Sequence, residues 1–257
     1  MPNQEWPASD YAIGSYIQST VADNYLGELD CPPTDKVLDV GCGNGAYTRK
    51  ILDLVPQGSV LGIDASENML NLAREVITDY PNFSVQKGDV LSMDFAAQFD
   101  YVVSFWCLQW AKDIVKAFTN MMNALKPGGK VLAIFPVGDD PYIMGYYAVR
   151  ETGHFHSLVN FSAPMDYTRL NNLPEQLKSI PCKRLEVEVR RHSIILPSLE
   201  VFRKFVNGIA FYQGQIPDAE IKKINDAMVQ YFDAECKKHY QGEYQFNFAM
   251  YLVRGEK

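Results

Sequence analysis

Short apolar runs alternate with amphipathic stretches along the first half of the chain. Val37 to Val40, Val60 to Ile63, Phe83 to Lys87, Phe99 to Phe105 and Lys130 to Phe135 have strand length. Phe99 to Phe105 is largely apolar, as expected when helices cover both faces of a strand. Between these runs, Ala46 to Leu54, a stretch from Ser66 to about Tyr80, and Ile114 to Leu125 read as helices. Ser66 is placed to cap the second of these, whose apolar face is Met69, Leu70, Ala73 and Ile77. Pro81 ends that helix, and Lys126-Pro127-Gly128-Gly129 ends the third. Regular alternation of strand and helix predicts a parallel sheet.

From Gly138 the pattern loosens. Tyr142 to Glu151, Thr168 to Ile180 and Leu199 to Val206 read as helices. Pro217 to His239 reads as a long helix, acidic first and with Lys237 and Lys238 last, which suits the helix dipole. Leu185 to Ile195 alternates like a strand, and Tyr244 to Val253 reads as a final strand. Before the first strand, Asp10 to Leu29 carries apolar residues at helical spacing; Tyr11, Tyr16 and Tyr25 suit either core packing or a cover over a pocket. The expected organisation is an N-terminal helical cover (1–33), a ligand-binding half (34–137), and the last two strands with an inserted helical cap (138–181 and 196–240).

Composition narrows the partners. The net charge of -7, from 24 basic and 31 acidic residues, disfavours a polyphosphate backbone. No uncharged run approaches the roughly 18 residues that span a bilayer. The start, MPNQEWPASD, lacks the basic-then-apolar pattern of a signal peptide. The five cysteines are odd in number and dispersed, without a CxxC pair, so neither a zinc site nor a disulfide framework is expected. A reducing, cytoplasmic setting follows, with a monomer or homodimer and no nucleic-acid or membrane partner.

The chemistry gathers at Gly41-Cys42-Gly43-Asn44-Gly45, directly after the first strand. Glycines there let the backbone turn sharply and approach a ligand. Asp64, at the end of the second strand, is placed either to bind ribose hydroxyls or to cap the next helix. Asp39 lies inside the strand end, where a buried carboxylate needs a partner. It either ties down the turn or holds a cationic ligand, and it sits badly beside a pyrophosphate. A ligand with a cation near Asp39 and a ribose near Asp64 matches S-adenosylmethionine.

VLDVGCGNG, Asp64, the GDV at Gly88 to Val90, FDYVVS and LKPGGKVL resemble, in order and spacing, the class I S-adenosylmethionine-dependent methyltransferases. The resemblance is strong over about 34–135 and looser over the last two strands. It implies a Rossmann-like α/β fold: a seven-stranded, mostly parallel sheet with helices on both faces, an antiparallel last strand and a helical cap. It also implies S-adenosylmethionine as cofactor and S-adenosylhomocysteine as product. Asp39, Gly41, Cys42, Gly43, Asn44 and Gly45 would approach the methionine part. Asp64 would hold the ribose, with Ala65 and Met69 flanking the adenine. Asp89 would meet the adenine amino group with Val90 beside the ring, and Ser104 and Phe105 would line the methionyl side.

Trp106, Gln109 and Trp110 follow the fourth strand, at the sheet end where ligands bind. Their N–H groups are candidates to orient an acceptor oxygen. SFWCLQWAKD resembles the juvenile hormone acid and trans-aconitate methyltransferase-like families, whose acceptors are carboxylic acids. That likeness implies that Trp110 and Gln18 hold the substrate carboxylate; Ser19 and Thr20 depart from its usual basic pair. A phenol, amine or carbon acceptor, a nicotinamide-dependent oxidoreductase and a non-catalytic cofactor-binding protein are the alternatives. His154 and His156 are the histidines of the cap, offering a base; no third ligand accompanies them, so no metal is expected. The cap is rich in Phe, Tyr, Ile and Met, which favours a partly apolar acceptor. Asp139-Asp140-Pro141-Tyr142 looks like a DNA adenine methyltransferase motif but lacks its second proline and follows the wrong strand.

Overall fold

The computed structural model describes residues 16–257. The expected helix before Tyr16, with Tyr11, lies outside the described residues. Seven strands form one sheet: β1 (Lys36–Val40), β2 (Ser59–Asp64), β3 (Phe83–Lys87), β4 (Phe99–Phe105), β5 (Leu125–Pro136), β6 (Arg184–Ile195) and β7 (Gln245–Glu256). Their order is β3-β2-β1-β4-β5-β7-β6. The first five pair in parallel, and β7 runs antiparallel to both β5 and β6. This is the Rossmann-like sheet that the resemblance implied, its last strand reversed. β1 sits between β2 and β4, so the chain switches direction across the sheet there. The strand ends on either side of such a switch leave a crevice for ligands.

The helices are α1 (Tyr16–Leu26), α2 (Thr48–Leu54), α3 (Glu67–Val76), α4 (Ile114–Ala124), α5 (Pro141–Glu151), α6 (Leu173–Leu177), α7 (Leu199–Gly208) and α8 (Asp218–His239). Three of them, α3, α4 and α5, start at side chains that satisfy the first free N–H groups. Ser66 Oγ accepts from Met69 N, Asp113 from Lys116 N, and Asp140 Oδ1 from the amides of Tyr142 and Ile143. α1, α2, α3, α5, α7 and α8 contribute to one apolar cluster, on the sheet face that carries Val37, Tyr101 and Val103. α4 and α6 pack on the opposite face, with Leu38, Val40 and Val102. The core of the cap is therefore continuous with the core of the sheet.

Three boundaries differ from the sequence reading. α3 stops at Val76 and continues to Tyr80 only as turns, because the β-branched run Val76-Ile77-Thr78 weakens the helix. The helix expected over Thr168 to Ile180 is a 3-10 turn (Tyr167–Leu170) followed by α6. Asn172 between them is left-handed at φ +57°, and Pro174 in the first turn of α6 has no N–H to extend a helix backwards. β5 begins at Leu125: the pairing jumps from Phe99–Leu125 to Tyr101–Lys130, and Lys126 to Gly129 loops out between. Among the described residues, no helix is long and apolar enough to cross a membrane, and no cluster of three or more His, Cys, Asp or Glu is arranged for a metal. All five cysteines are free.

Candidate active site

The glycine turn is held by the neighbouring strand. The amides of Gly41 and Cys42 both donate to Ile63 O, at 2.8 and 3.1 Å. Gly41 has φ +78°, and a Cβ there would lie 2.4 Å from Cys107 Cβ and Sγ. Only glycine allows both that conformation and that approach. Gly43 N donates to Asp64 Oδ2 at 3.0 Å, while Asp64 Oδ1 accepts from Ser66 N at 2.8 Å. One carboxylate therefore ties the turn to the start of α3.

Asp39 is 4% exposed and accepts from Thr48 Oγ1 at 2.7 Å. Burial pushes its pKa up to about 7; the Thr48 bond opposes the rise and nearby Asp64 adds to it. A cation beside it would reverse that rise.

Beside the turn lies a cleft of about 820 Å³, its open mouth included. Gly41, Gly43, Asp64, Ala65 and Met69 line one part of it, and Asp89, Val90 and Phe105 another. Eight of the expected cofactor residues thus converge, although they come from four strand ends. Ile63, Ser66, Gly88 and Cys107 also line it and were not anticipated from sequence. Ile63 and Ser66 flank Asp64 in sequence and Gly88 precedes Asp89, so adjacency was the signal; Cys107 had none beyond its place after β4. The lining contains Asp64 and Asp89 but neither Lys nor Arg. On the other side of the turn, Asp39, Cys42 and Asn44 line an adjoining hollow together with Gly41, Gly43 and Phe105.

Two expected residues are placed otherwise. Ser104 is fully buried and its hydroxyl donates to Val40 O at 2.9 Å, joining β4 to β1 rather than facing a ligand. Gly45 faces α3, where an added Cβ would touch Val76 Cγ2 at 3.0 Å and Ala73 at 3.4 Å.

A second cavity, an aromatic chamber of about 410 Å³, adjoins the cleft. Gln18, Trp106 and Trp110 line both cavities and form their common wall. Met165, Phe205, Ile209 and Phe246 supply apolar surface from the cap and β7. Asp140, Tyr142, Tyr167 and Gln109 supply polar atoms, and no Lys, Arg or His is among the described lining residues. Asp140 is buried; burial lifts its pKa to about 6, the Ile143 and Tyr142 amides oppose this, and Asp139 adds to it. Gly138, at φ +99°, lets the Tyr167 ring approach: an added Cβ would lie 2.3 Å from Tyr167 Cγ.

The N–H groups expected to reach an acceptor oxygen are partly engaged within the protein. Trp106 Nε1 donates to Gln18 O at 3.1 Å, and Gln109 Nε2 donates to Trp106 O at 2.9 Å. The one indole N–H of Trp106 is thus taken up by the wall, and so is one of the two amide hydrogens of Gln109, which still lines the chamber. His154 lines a separate surface cavity with Phe155 and Tyr231, and neither His154 nor His156 lines the cleft or the chamber.

Comparison with known proteins agrees with this geometry. Residues 37–129 match the family model described as "Methyltransferase domain". The chain is 31% identical over 163 residues to a protein of Invertebrate iridescent virus 6 designated methyltransferase 235L, a match covering 63% of this chain and 60% of that one. It is 32% identical over 135 residues to trans-aconitate 2-methyltransferase of Deinococcus radiodurans, covering 52% and 51%. These matches thus span about three-fifths and half of the relatives' lengths. Among solved structures, the YcgJ protein of Bacillus subtilis superposes with a TM-score of 0.63 at 17% identity, covering 93% of this chain and 98% of that one; it shares the fold.

Proposed function

We propose that the chain is a class I S-adenosylmethionine-dependent methyltransferase that methylates a small, partly apolar molecule at a carboxylate oxygen. The observation that carries this reading is the common wall. A cleft with the donors and acids suited to a nucleoside meets an aromatic chamber at Gln18, Trp106 and Trp110.

When bound, S-adenosylmethionine supplies an electrophilic methyl: an acceptor lone pair forms the new bond as the carbon–sulfur bond breaks, leaving S-adenosylhomocysteine. The residues present fit that group. Asp64 would accept from the ribose hydroxyls, and Asp89 from the adenine amino group. Met69, Val90 and Phe105 cover the apolar faces of the nucleoside. Asp39 attracts the ammonium and sulfonium charges. Asp64 and Asp89, in a cleft whose described lining residues include no Lys or Arg, suit a cation better than a pyrophosphate, which disfavours the nicotinamide alternative.

Alignment and exclusion of water are the main tasks in an in-line displacement. The apolar side chains that line the chamber would do the second. Gln18 and Trp110 do the first, orienting the acceptor at the wall. A carboxylate, with a pKa of about 4, is ionised at neutral pH and needs no base. This agrees with the absence of histidine from both linings.

Transfer of labelled methyl from S-adenosylmethionine to a panel of free acids, their amides, phenols and amines tests the reading. The expected products are base-labile methyl esters of free acids. Trp110→Ala and Gln18→Ala are expected to lower kcat/KM by about tenfold or more. Transfer to amines or phenols alone overturns the carboxylate assignment, and retention of a dinucleotide in place of S-adenosylmethionine overturns the cofactor.

A further inference from the structure

Gln109, Asp140 and Tyr142 line the chamber but not the cleft. All three are more than nine-tenths buried, at 7%, 8% and 2% exposure. Among the described residues, Gln109 Oε1 and the Tyr142 hydroxyl have no hydrogen-bond partner. The orientation of the Gln109 amide is set by its nitrogen, which donates to Trp106 O, so the free atom is the oxygen. Asp140 Oδ1 caps α5, and Asp140 also lines the chamber. Nearby, the Tyr167 hydroxyl meets only the Met165 thioether, at 3.7 Å.

Buried polar atoms without partners cost stability, and few persist without a reason. Two on residues that line one cavity, which a buried carboxylate also lines, point to a ligand that completes them. The amide oxygen accepts and does not donate, an ionised carboxylate likewise, and a phenol does either. Their complement is a donor. A second carboxylate placed here would set lone pairs against lone pairs.

We propose that Gln109 Oε1, Asp140 and the Tyr142 hydroxyl form a receptor for an N–H or O–H group of the methyl acceptor. The substrate is thereby a bifunctional molecule: an acid at the wall, an apolar body against Met165, Phe205 and Phe246, and a hydroxyl or amino group in the receptor. This rests on the chamber being the acceptor site. It makes the three residues determinants of specificity, separate from Gln18 and Trp110.

Matched acids of nearly equal size test it: para-hydroxyphenylacetate against para-methylphenylacetate, and omega-hydroxyoctanoate against nonanoate. Binding is read by quenching of Trp106 and Trp110 fluorescence with S-adenosylhomocysteine present, and transfer by ester formation. The hydroxy member of at least one pair is expected to bind and react about tenfold better, since its partner leaves buried acceptors unmatched. Gln109→Met and Asp140→Asn, the latter retaining a capping side chain, are expected to shrink that ratio to about twofold or less. Cofactor affinity should be unchanged in Asp140→Asn; Gln109→Met also removes the bond to Trp106 O, so there the ratio between paired acids, not the absolute affinity, reads the receptor. Binding or transfer without preference, or a preference that survives both substitutions, overturns the receptor and leaves the methyltransferase reading intact. Formation of a phenyl methyl ether also overturns it, by placing the hydroxyl at the cofactor wall. If neither member of either pair binds while S-adenosylhomocysteine does, the chamber is not the acceptor site and both readings of it fall.

Discussion

The indole Nε1 of Trp106 donates to the backbone carbonyl of Gln18 at 3.1 Å. This bond fastens α1 to the C-terminal end of β4, and the two residues together form most of the wall between cleft and chamber. Trp106 is held there at φ +56°, a conformation uncommon outside glycine. Its backbone is fixed by donation from Trp106 N to Ile134 O and by the Gln109 amide on its carbonyl.

Because the acceptor in that bond is a main-chain atom, substitutions at its two ends should differ. Trp106→Phe removes the donor and is expected to cost about 1 kcal/mol in urea unfolding. It should weaken both cofactor and acceptor binding, since the wall serves both. Gln18→Ala keeps the carbonyl and should change unfolding by less than about 0.5 kcal/mol. It should raise the acceptor KM with little change in cofactor affinity. Parallel titrations and steady-state kinetics on the two variants separate the effects.

Asp39 gives a pH-dependent difference with a defined sign. Its folded pKa, about 7, is raised above the ordinary 3.8, so the folded protein binds the extra proton between those values. The cost of burying the charge is absent below about pH 4, grows as pH rises, and levels off above about pH 7. Asp39→Asn, whose amide oxygen can still accept from Thr48, removes that cost. The variant without cofactor is expected to gain stability over the wild type as pH rises from about 5 to 8, reaching on the order of a few kcal/mol. Its affinity for S-adenosylmethionine should fall over the same range. Urea unfolding across pH, with and without the cofactor, reads both. A variant equal to wild type in stability at about pH 8 would show that the carboxylate is not desolvated.

Gly41→Ala places a methyl 2.4 Å from the Cys107 side chain while forcing alanine to φ +78°. The turn must move, and cofactor affinity should fall by at least about tenfold in calorimetric titration. Adding Cys107→Ala should not restore it, because the clash already includes Cys107 Cβ.

Gly138→Ala should act on the chamber alone. The new Cβ would lie 2.3 Å from the Tyr167 ring, so the ring is displaced from the lining. The acceptor KM should change several-fold while the cofactor dissociation constant stays within about twofold of the wild type. A loss of cofactor binding would show that the two cavities are mechanically coupled.

The sheet and the cleft were largely legible before the structure. Alternating strand and helix patterns over 36–136, together with the glycine turn and Asp64, are local features. Neighbouring residues impose them through backbone conformation, capping and periodic burial. Thus Asp64, Ala65 and Met69 fell on the cleft from their position after β2, and Ser66 capped α3 as expected. The assignments that failed depend on which way a side chain turns. Ser104 was aimed at a ligand and instead bonds Val40 O, sixty-four residues earlier in the chain. The nitrogens of Trp106 and Gln109 found backbone carbonyls, one of them on α1. The chamber itself unites α1, β4, the cap and β7, segments far apart in sequence, so no local pattern encodes it. Asp140 illustrates the division. As a capping residue before Pro141 its role is local; as a buried acid on a cavity wall it is decided only by packing, because desolvation depends on what the rest of the chain brings around it.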